Sequence, residues 1–150
     1  MTEQQIAGFL GRYDAGIQRE ARAARRALRK AMPSATELIY DNYNALVFAY
    51  ATSEKATDLV LSIALYPKWI TLFFRWGAEL DDPEGVLEGS GKIIRGVRLR
   101  GGAKDLDKPA VRALIRQAIA RAKKPLAKSG RVKTAVRAAT KKRRARKPKA

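Results

Sequence analysis

The chain has no cysteine and no histidine. Without cysteine there can be no disulfide, no thiolate nucleophile and no thiolate metal site, and the absence fits a reducing compartment. Without histidine it lacks the commonest general base near neutral pH and the commonest transition-metal ligand. It has no apolar run of the roughly 18 residues that a membrane-spanning helix needs. The first residues, MTEQQIAGFLGRYD, carry acids and no charged-then-apolar leader pattern. The expectation is therefore a cytoplasmic protein without a membrane partner, with nucleoid association as an extension of that reading.

Negative charge is missing from one end. Of the 32 Lys/Arg and 14 Asp/Glu, residues 123–150 hold 13 of the first and none of the second. That segment carries +13 of the net +18, and residues 1–122 carry +5. Such asymmetry points to a polyanionic partner. The same segment has almost no large apolar side chains. It cannot offset its ordering entropy by burial, so it is expected to be a disordered tail (123–150) after a folded domain (1–122).

The folded part is patterned for α+β. Ile6, Phe9, Leu10, Tyr13, Ile17, Ala21, Ala24, Leu28 and Met32 recur every three or four residues, predicting helices over 3–13 and 14–31 with a break near Asp14. The opposite face, Arg19, Arg22, Arg25, Arg26, Arg29 and Lys30, reads as a solvated surface or a secondary phosphate-binding one. Residues 37–40 fit a strand or a short helix, Asp41 to Asn44 a turn, and Ala45 to Tyr50 a strand. Leu59 to Leu65 and Trp69 to Arg75 read as a buried hairpin around Tyr66-Pro67-Lys68. Asp82 is expected to cap a short helix begun by Pro83 and ended by Gly89. A further strand follows with Ile93, Val97 and Leu99 on one face. A last helix, capped by Asp107, buries Val111, Leu114, Ile115, Ala118 and Ile119. The expected architecture is an antiparallel sheet of four to five strands, with N-terminal helices and one C-terminal helix packed on it.

The segment FFRWGAELDDPEGVLEGSGK (73–92), with Phe73-Phe74-Arg75, Gly77-Ala78-Glu79-Leu80, Asp82-Pro83, Gly85 to Gly89 and Gly91-Lys92, resembles the signature of the YdhG-like family. The resemblance covers roughly residues 5–122. It implies a small bacterial α+β domain of a family mostly without assigned function, a few relatives of which are described as frataxin-like iron chaperones. A frataxin-like iron carrier would use an acidic ridge on its first helix; here the Ile17–Met32 helix is strongly basic.

The chemistry-bearing candidates separate into three sets. The first is the tail: Lys123, Lys124, Lys128, Arg131, Lys133, Arg137, Lys141, Lys142, Arg143, Arg144, Arg146, Lys147 and Lys149. With no aromatic and no base-reading motif, it should bind nucleic acid or another polyanion without sequence preference, or serve only as a solubilising tail. If about 8 phosphates were engaged, log K would fall against log salt with a slope of roughly −7. The second set, Tyr40, Asn42, Tyr43, Arg75, Trp76, Lys92, Arg95 and Arg98, flanks predicted strand ends. It would suit a small anionic ligand, with a protein partner as another role for the domain. The Gly89-Ser90-Gly91-Lys92 run fails the Walker pattern, since Val86 stands where its first glycine would be and a strand follows. The third set, Asp81, Asp82, Glu84 and Glu88, would suit a hard cation, or capping and solvation. No nucleophile has a recognisable base, so no catalysis and no cofactor are expected.

Overall fold

The computed structural model describes residues 2–42, 44–126 and 130–139. They form three α-helices and a six-stranded mixed sheet: α1 (Thr2–Leu10), α2 (Ala15–Ala31), β1 (Thr36–Asp41), β2 (Leu46–Ala51), β3 (Leu59–Leu65), β4 (Ile70–Phe74), β5 (Arg95–Arg98), α3 (Pro109–Ala120) and β6 (Lys133–Ala139). The sheet order is β5-β4-β3-β2-β1-β6. The first five strands are antiparallel neighbours, and β6 runs parallel to β1. The α+β class is as the sequence implies.

Two details of that expectation are corrected. The sheet has six strands rather than four or five, and it is not wholly antiparallel. The sixth strand lies inside the segment expected to be disordered. A strand at a sheet edge needs little apolar surface, because the neighbour's free backbone row supplies its hydrogen bonds. Within β6, Val136 also packs against the core. The remaining residues of the expected tail, 127–129 and 140–150, lie outside the described residues.

All three helices cover one face of the sheet. Their apolar stripes meet Ile39, Phe48, Tyr50, Leu61, Ile63, Leu72, Phe74 and Val97, the inward members of alternating strand positions. On the other face, Leu38, Ala49 and Ala51 form a small cluster with Tyr40, Val47, Leu59 and Ala135, and no helical residue joins it. Tyr13 ties the α1–α2 joint to the sheet: its hydroxyl donates to the Leu65 carbonyl (2.8 Å) and accepts from Leu46 N (3.2 Å). Asp14 then caps α2, its Oδ1 accepting from Ile17 N at 2.8 Å, so the break falls where expected.

Three local expectations give way. Asp82 does cap backbone, accepting from Val86 N and Leu87 N, both at 2.9 Å. No helix follows, because Gly85 turns the chain at φ +65° and Glu88 pairs with Gly96 instead. Asp107 does not cap α3. It ends a 3-10 turn (Ala103–Asp107), and Pro109 opens α3 after an extended Lys108, the conformation a following proline favours. Ile93 is exposed rather than inward-facing, since its carbonyl accepts from Ala78 N before β5 begins. No helix among the described residues is long and apolar enough to cross a membrane.

Candidate nucleic-acid interface

The basic face of α2 divides in two. Arg25, expected in water, is buried. Its Nε and Nη2 donate to Glu37 Oε2 (3.0 Å) and Oε1 (2.8 Å), and its remaining N–H groups reach Glu3 (2.9 and 3.0 Å). Glu37 is fully buried on the inward face of β1 and also accepts from Tyr50 Oη (2.6 Å) and Thr134 Oγ1 (2.8 Å). Burial alone would raise the Glu37 pKa, but the bonds from Arg25 and Tyr50 outweigh it and hold the carboxyl below its usual range. Burial likewise opposes the Arg25 charge, and Glu37 and Glu3 more than restore it. Burial and the Glu37 charge together push the Tyr50 hydroxyl well up. This is an internal brace, not a site for solvent-borne ligands.

Of the rest of that face, Arg29 is half-buried and lies 3.7 Å from the same Glu37 carboxylate, and Arg19, Arg22, Arg26 and Lys30 are exposed. Arg19, Arg22, Arg26 and Arg29 follow at intervals of three, four and three, a single row along the helix. At 1.5 Å per residue the row is about 15 Å long. Beside the row lie Ala23 and Ala27, which let a backbone approach closely, and near its start Glu20, which faces Arg19. Arg22, Arg26 and Lys30 have no carboxylate within ion-pairing distance among the described residues. Arg22, Arg25, Arg26 and Arg29 line a concavity of about 290 Å³. Arg29 and Lys30 also sit at the helix C-terminus, where the helix dipole favours cations.

The row leads into an open groove of about 770 Å³ between the start of α2 and one end of the sheet. Arg19, Lys68, Arg98 and Arg100 edge it, over Ile17, Ile70 and Leu99. Tyr66 and Trp69, on either side of the β3–β4 turn, stack with ring centroids 5.0 Å apart. The Arg98 guanidinium lies 4.5 Å from the Trp69 ring centroid. The two carboxylates in the lining are engaged: Asp14 caps α2, and Glu20 accepts from Ala103 N (2.9 Å) and faces Arg19 at 3.6 Å.

The second set of sequence candidates is not one site. Antiparallel order places Tyr40, Asn42 and Arg98 at one end of the sheet and Arg75, Trp76 and Arg95 at the other. Tyr43 lies outside the described residues. Arg75 covers the Trp76 ring at 4.8 Å. Arg95 turns back to the carbonyls of Gly91 and Ile94, and Lys92 is exposed. Trp76 instead helps wall a cavity of about 360 Å³ with Leu59, Val60, Phe74, Arg121 and Lys123. Of the first set, Lys123, Arg131, Lys133 and Arg137 are exposed. Arg137 donates to the Glu54 carbonyl at 3.1 Å, and Lys124 pairs with Asp58 at 3.2 Å. Lys128, Lys141, Lys142, Arg143, Arg144, Arg146, Lys147 and Lys149 lie outside the described residues. In the third set Glu88 is paired with Arg100 (3.1 Å), which lowers its pKa. No three acidic side chains among the described residues gather as a cation site would need.

Sequence reasoning missed the Glu37 brace and the Tyr66–Trp69–Arg98 stack. The first carried one signal, an acid at an inward position of a strand, beside Leu38 and Ile39. The second carried another, two aromatics three residues apart across a proline turn. No family model matches the chain, and no curated protein or solved structure matches it at a significant level.

Proposed function

We propose that this is a non-enzymatic nucleic-acid-binding domain, cytoplasmic or nucleoid-associated, that grips phosphate backbones without sequence preference. Two elements do the work: the outward row of α2 and the basic C-terminal segment. The supporting observation is that Arg22, Arg26 and Lys30, beside Arg19 and Arg29, have no ion-pair partner among the described residues. Arg22, Arg26 and Lys30, four residues apart along one helix face, repel one another and lower stability. A polyanion that neutralises them and releases counterions relieves that cost. The YdhG-like resemblance is compatible with this reading and assigns it no ligand. Carboxylate-based iron handling is the weaker alternative, because of its four acids Asp82 caps backbone and Glu88 pairs with Arg100, and no three acids among the described residues gather.

A second reading, binding of a small anionic ligand, draws on the cavity beside Trp76. Its lining mixes apolar side chains with Arg121 and Lys123, which have no ion-pair partner among the described residues, and with the carboxylates Asp58, paired with Lys124, and Glu79. Stabilisation of the fold by an anionic metabolite, abolished by Arg121→Glu, would support it.

The decisive experiment for the main reading is a salt series of binding to duplex DNA. It compares the full chain, Arg22→Gln/Arg26→Gln, and a chain ending at Ala139. Each phosphate that is no longer neutralised flattens the slope of log K against log salt by about 0.9. The double variant should therefore lose about 2 units of slope. The shortened chain lacks seven cations and should lose several more. No binding by the full chain at about 0.15 M salt would refute the reading.

A further inference from the structure

We propose that the groove beside α2 is a stacking site for unpaired bases, so that the physiological ligand is single-stranded nucleic acid. The inference rests on the phosphate-binding reading above and narrows it. Arg19 belongs both to the helix row and to the groove rim, which makes the two surfaces one path. A single strand laid along Arg29, Arg26, Arg22 and Arg19 runs out at the groove mouth. There the surface changes character. The helix offers charge and alanine; the groove offers planar groups.

Tyr66, Trp69 and Arg98 form a series of planar groups, rings 5.0 Å apart at an interplanar angle of 22° and a guanidinium 4.5 Å from the indole. Arg98 is exposed, and Tyr66 and Trp69 are half-buried. Arg98 lies over the Trp69 ring and is exposed, so its guanidinium is available to a base. Guanidinium and aromatic planes accept any base and read no sequence, which suits the absence of base-edge readers in the chain. Lys68, exposed in the lining and without an ion-pair partner among the described residues, can meet a phosphate there, whereas Arg100 is held by Glu88 at 3.1 Å. The volume, about 770 Å³, falls in the range that holds a small organic ligand. Bases in a duplex are already stacked and paired, so this surface offers a duplex nothing beyond charge.

The test uses the full chain with oligothymidylate of about 15 nucleotides and a duplex of equal length, by fluorescence anisotropy at about 0.15 M salt. The wild type should bind the single strand more tightly. Arg98→Lys keeps the charge and removes the plane; Trp69→Leu removes the support. Each should weaken single-strand binding about tenfold and leave duplex binding within about twofold. Photocrosslinking of a bromouridine-substituted strand should map to the 66–69 turn, a readout that survives any loss of stability in Trp69→Leu. Equal affinity for the two oligonucleotides, or equal losses for both in these variants, overturns the inference. If Arg22→Gln/Arg26→Gln weakens both oligonucleotides while Arg98→Lys and Trp69→Leu change neither, phosphate binding stands and the stacking site falls. If none of the variants changes either affinity, both proposals fall.

Discussion

Replacing Glu37 by glutamine changes one oxygen to an amide and nothing in volume. Its predicted effect on stability is nevertheless large. Every hydrogen bond at the carboxylate comes from a donor: Arg25 Nε and Nη2, Tyr50 Oη and Thr134 Oγ1, at 2.6 to 3.0 Å. The glutamine amide would set its own donor against one of them, and Arg25 would lose a buried counter-charge. Breaking a buried pair by removing one partner costs about 3–5 kcal/mol. Domain stabilities are about 5–15 kcal/mol, so this is a large fraction of the whole. At about 2–4 °C per kcal/mol for a domain of this size, Tm should fall by about 6–20 °C. Urea unfolding and calorimetry would read it. The companion is the apolar triple Arg25→Met/Glu37→Leu/Tyr50→Phe, which removes the buried pair of charges and the Tyr50 hydroxyl and leaves only the half-buried Thr134 hydroxyl to find water. It should recover most of the loss, because the cost lies in orphaned polar groups and not in the absence of a salt bridge. An unchanged urea midpoint in Glu37→Gln would refute the assigned brace. A triple variant as unstable as Glu37→Gln would refute the desolvation argument.

The same cluster sets the pH range of stability. Arg25 holds Glu3 and Glu37 below the usual carboxylate range, so their contribution is present above about pH 4.5 and is lost as pH falls through their lowered pKa values. Tyr50 is raised, so its contribution is present below about pH 10 and lost above it. Unfolding free energy measured against pH should be flat between these limits, and Glu37→Gln should flatten the acid limb. Gly77→Ala should cost about 1–3 kcal/mol in urea unfolding, since a Cβ there would lie 2.5 Å from Arg95 Cβ and 2.7 Å from its backbone N.

Periodicity made the three α-helices and β2 to β5 legible, and left β1 open between a strand and a short helix. All but one of the nine residues of the predicted N-terminal stripe are buried, and the ninth, Ile17, packs against the core. The Leu59–Phe74 hairpin is registered around the turn the sequence marks, with Leu65 opposite Ile70. What failed was everything decided by a distant partner. Arg25 reads as surface because its own helix is full of arginines; Glu3 and Glu37, twenty-two and twelve residues away, take it inside. Asp82 has the chemistry of a helix cap, and the outcome turned on Gly85 and on a bridge to Gly96. The candidate ligand residues were grouped by lying near strand ends, but strand ends alternate between two edges of an antiparallel sheet. Only pairing register tells Arg95 from Arg98, three residues apart on one strand and directed to different surroundings.

β6 shows how far the tail's role depends on such a partner. Counting charges alone, the natural test is to cut the chain at residue 122 and ask whether binding is lost. The fold makes that cut ambiguous. It would remove Thr134, a donor to the buried Glu37 carboxylate, and the backbone partner of the whole β1 edge. A chain lacking β6 would lose stability and thirteen cations together, and it would expose an unpaired strand edge prone to association. Failure of that protein to bind DNA could then reflect a damaged α2 brace, since Arg25 and Glu37 join the helix to the same edge. A cut after Ala139 removes seven cations and leaves the strand, and Arg22→Gln/Arg26→Gln removes helix charge without touching the edge. Comparing the two separates what the charges do from what the strand holds together.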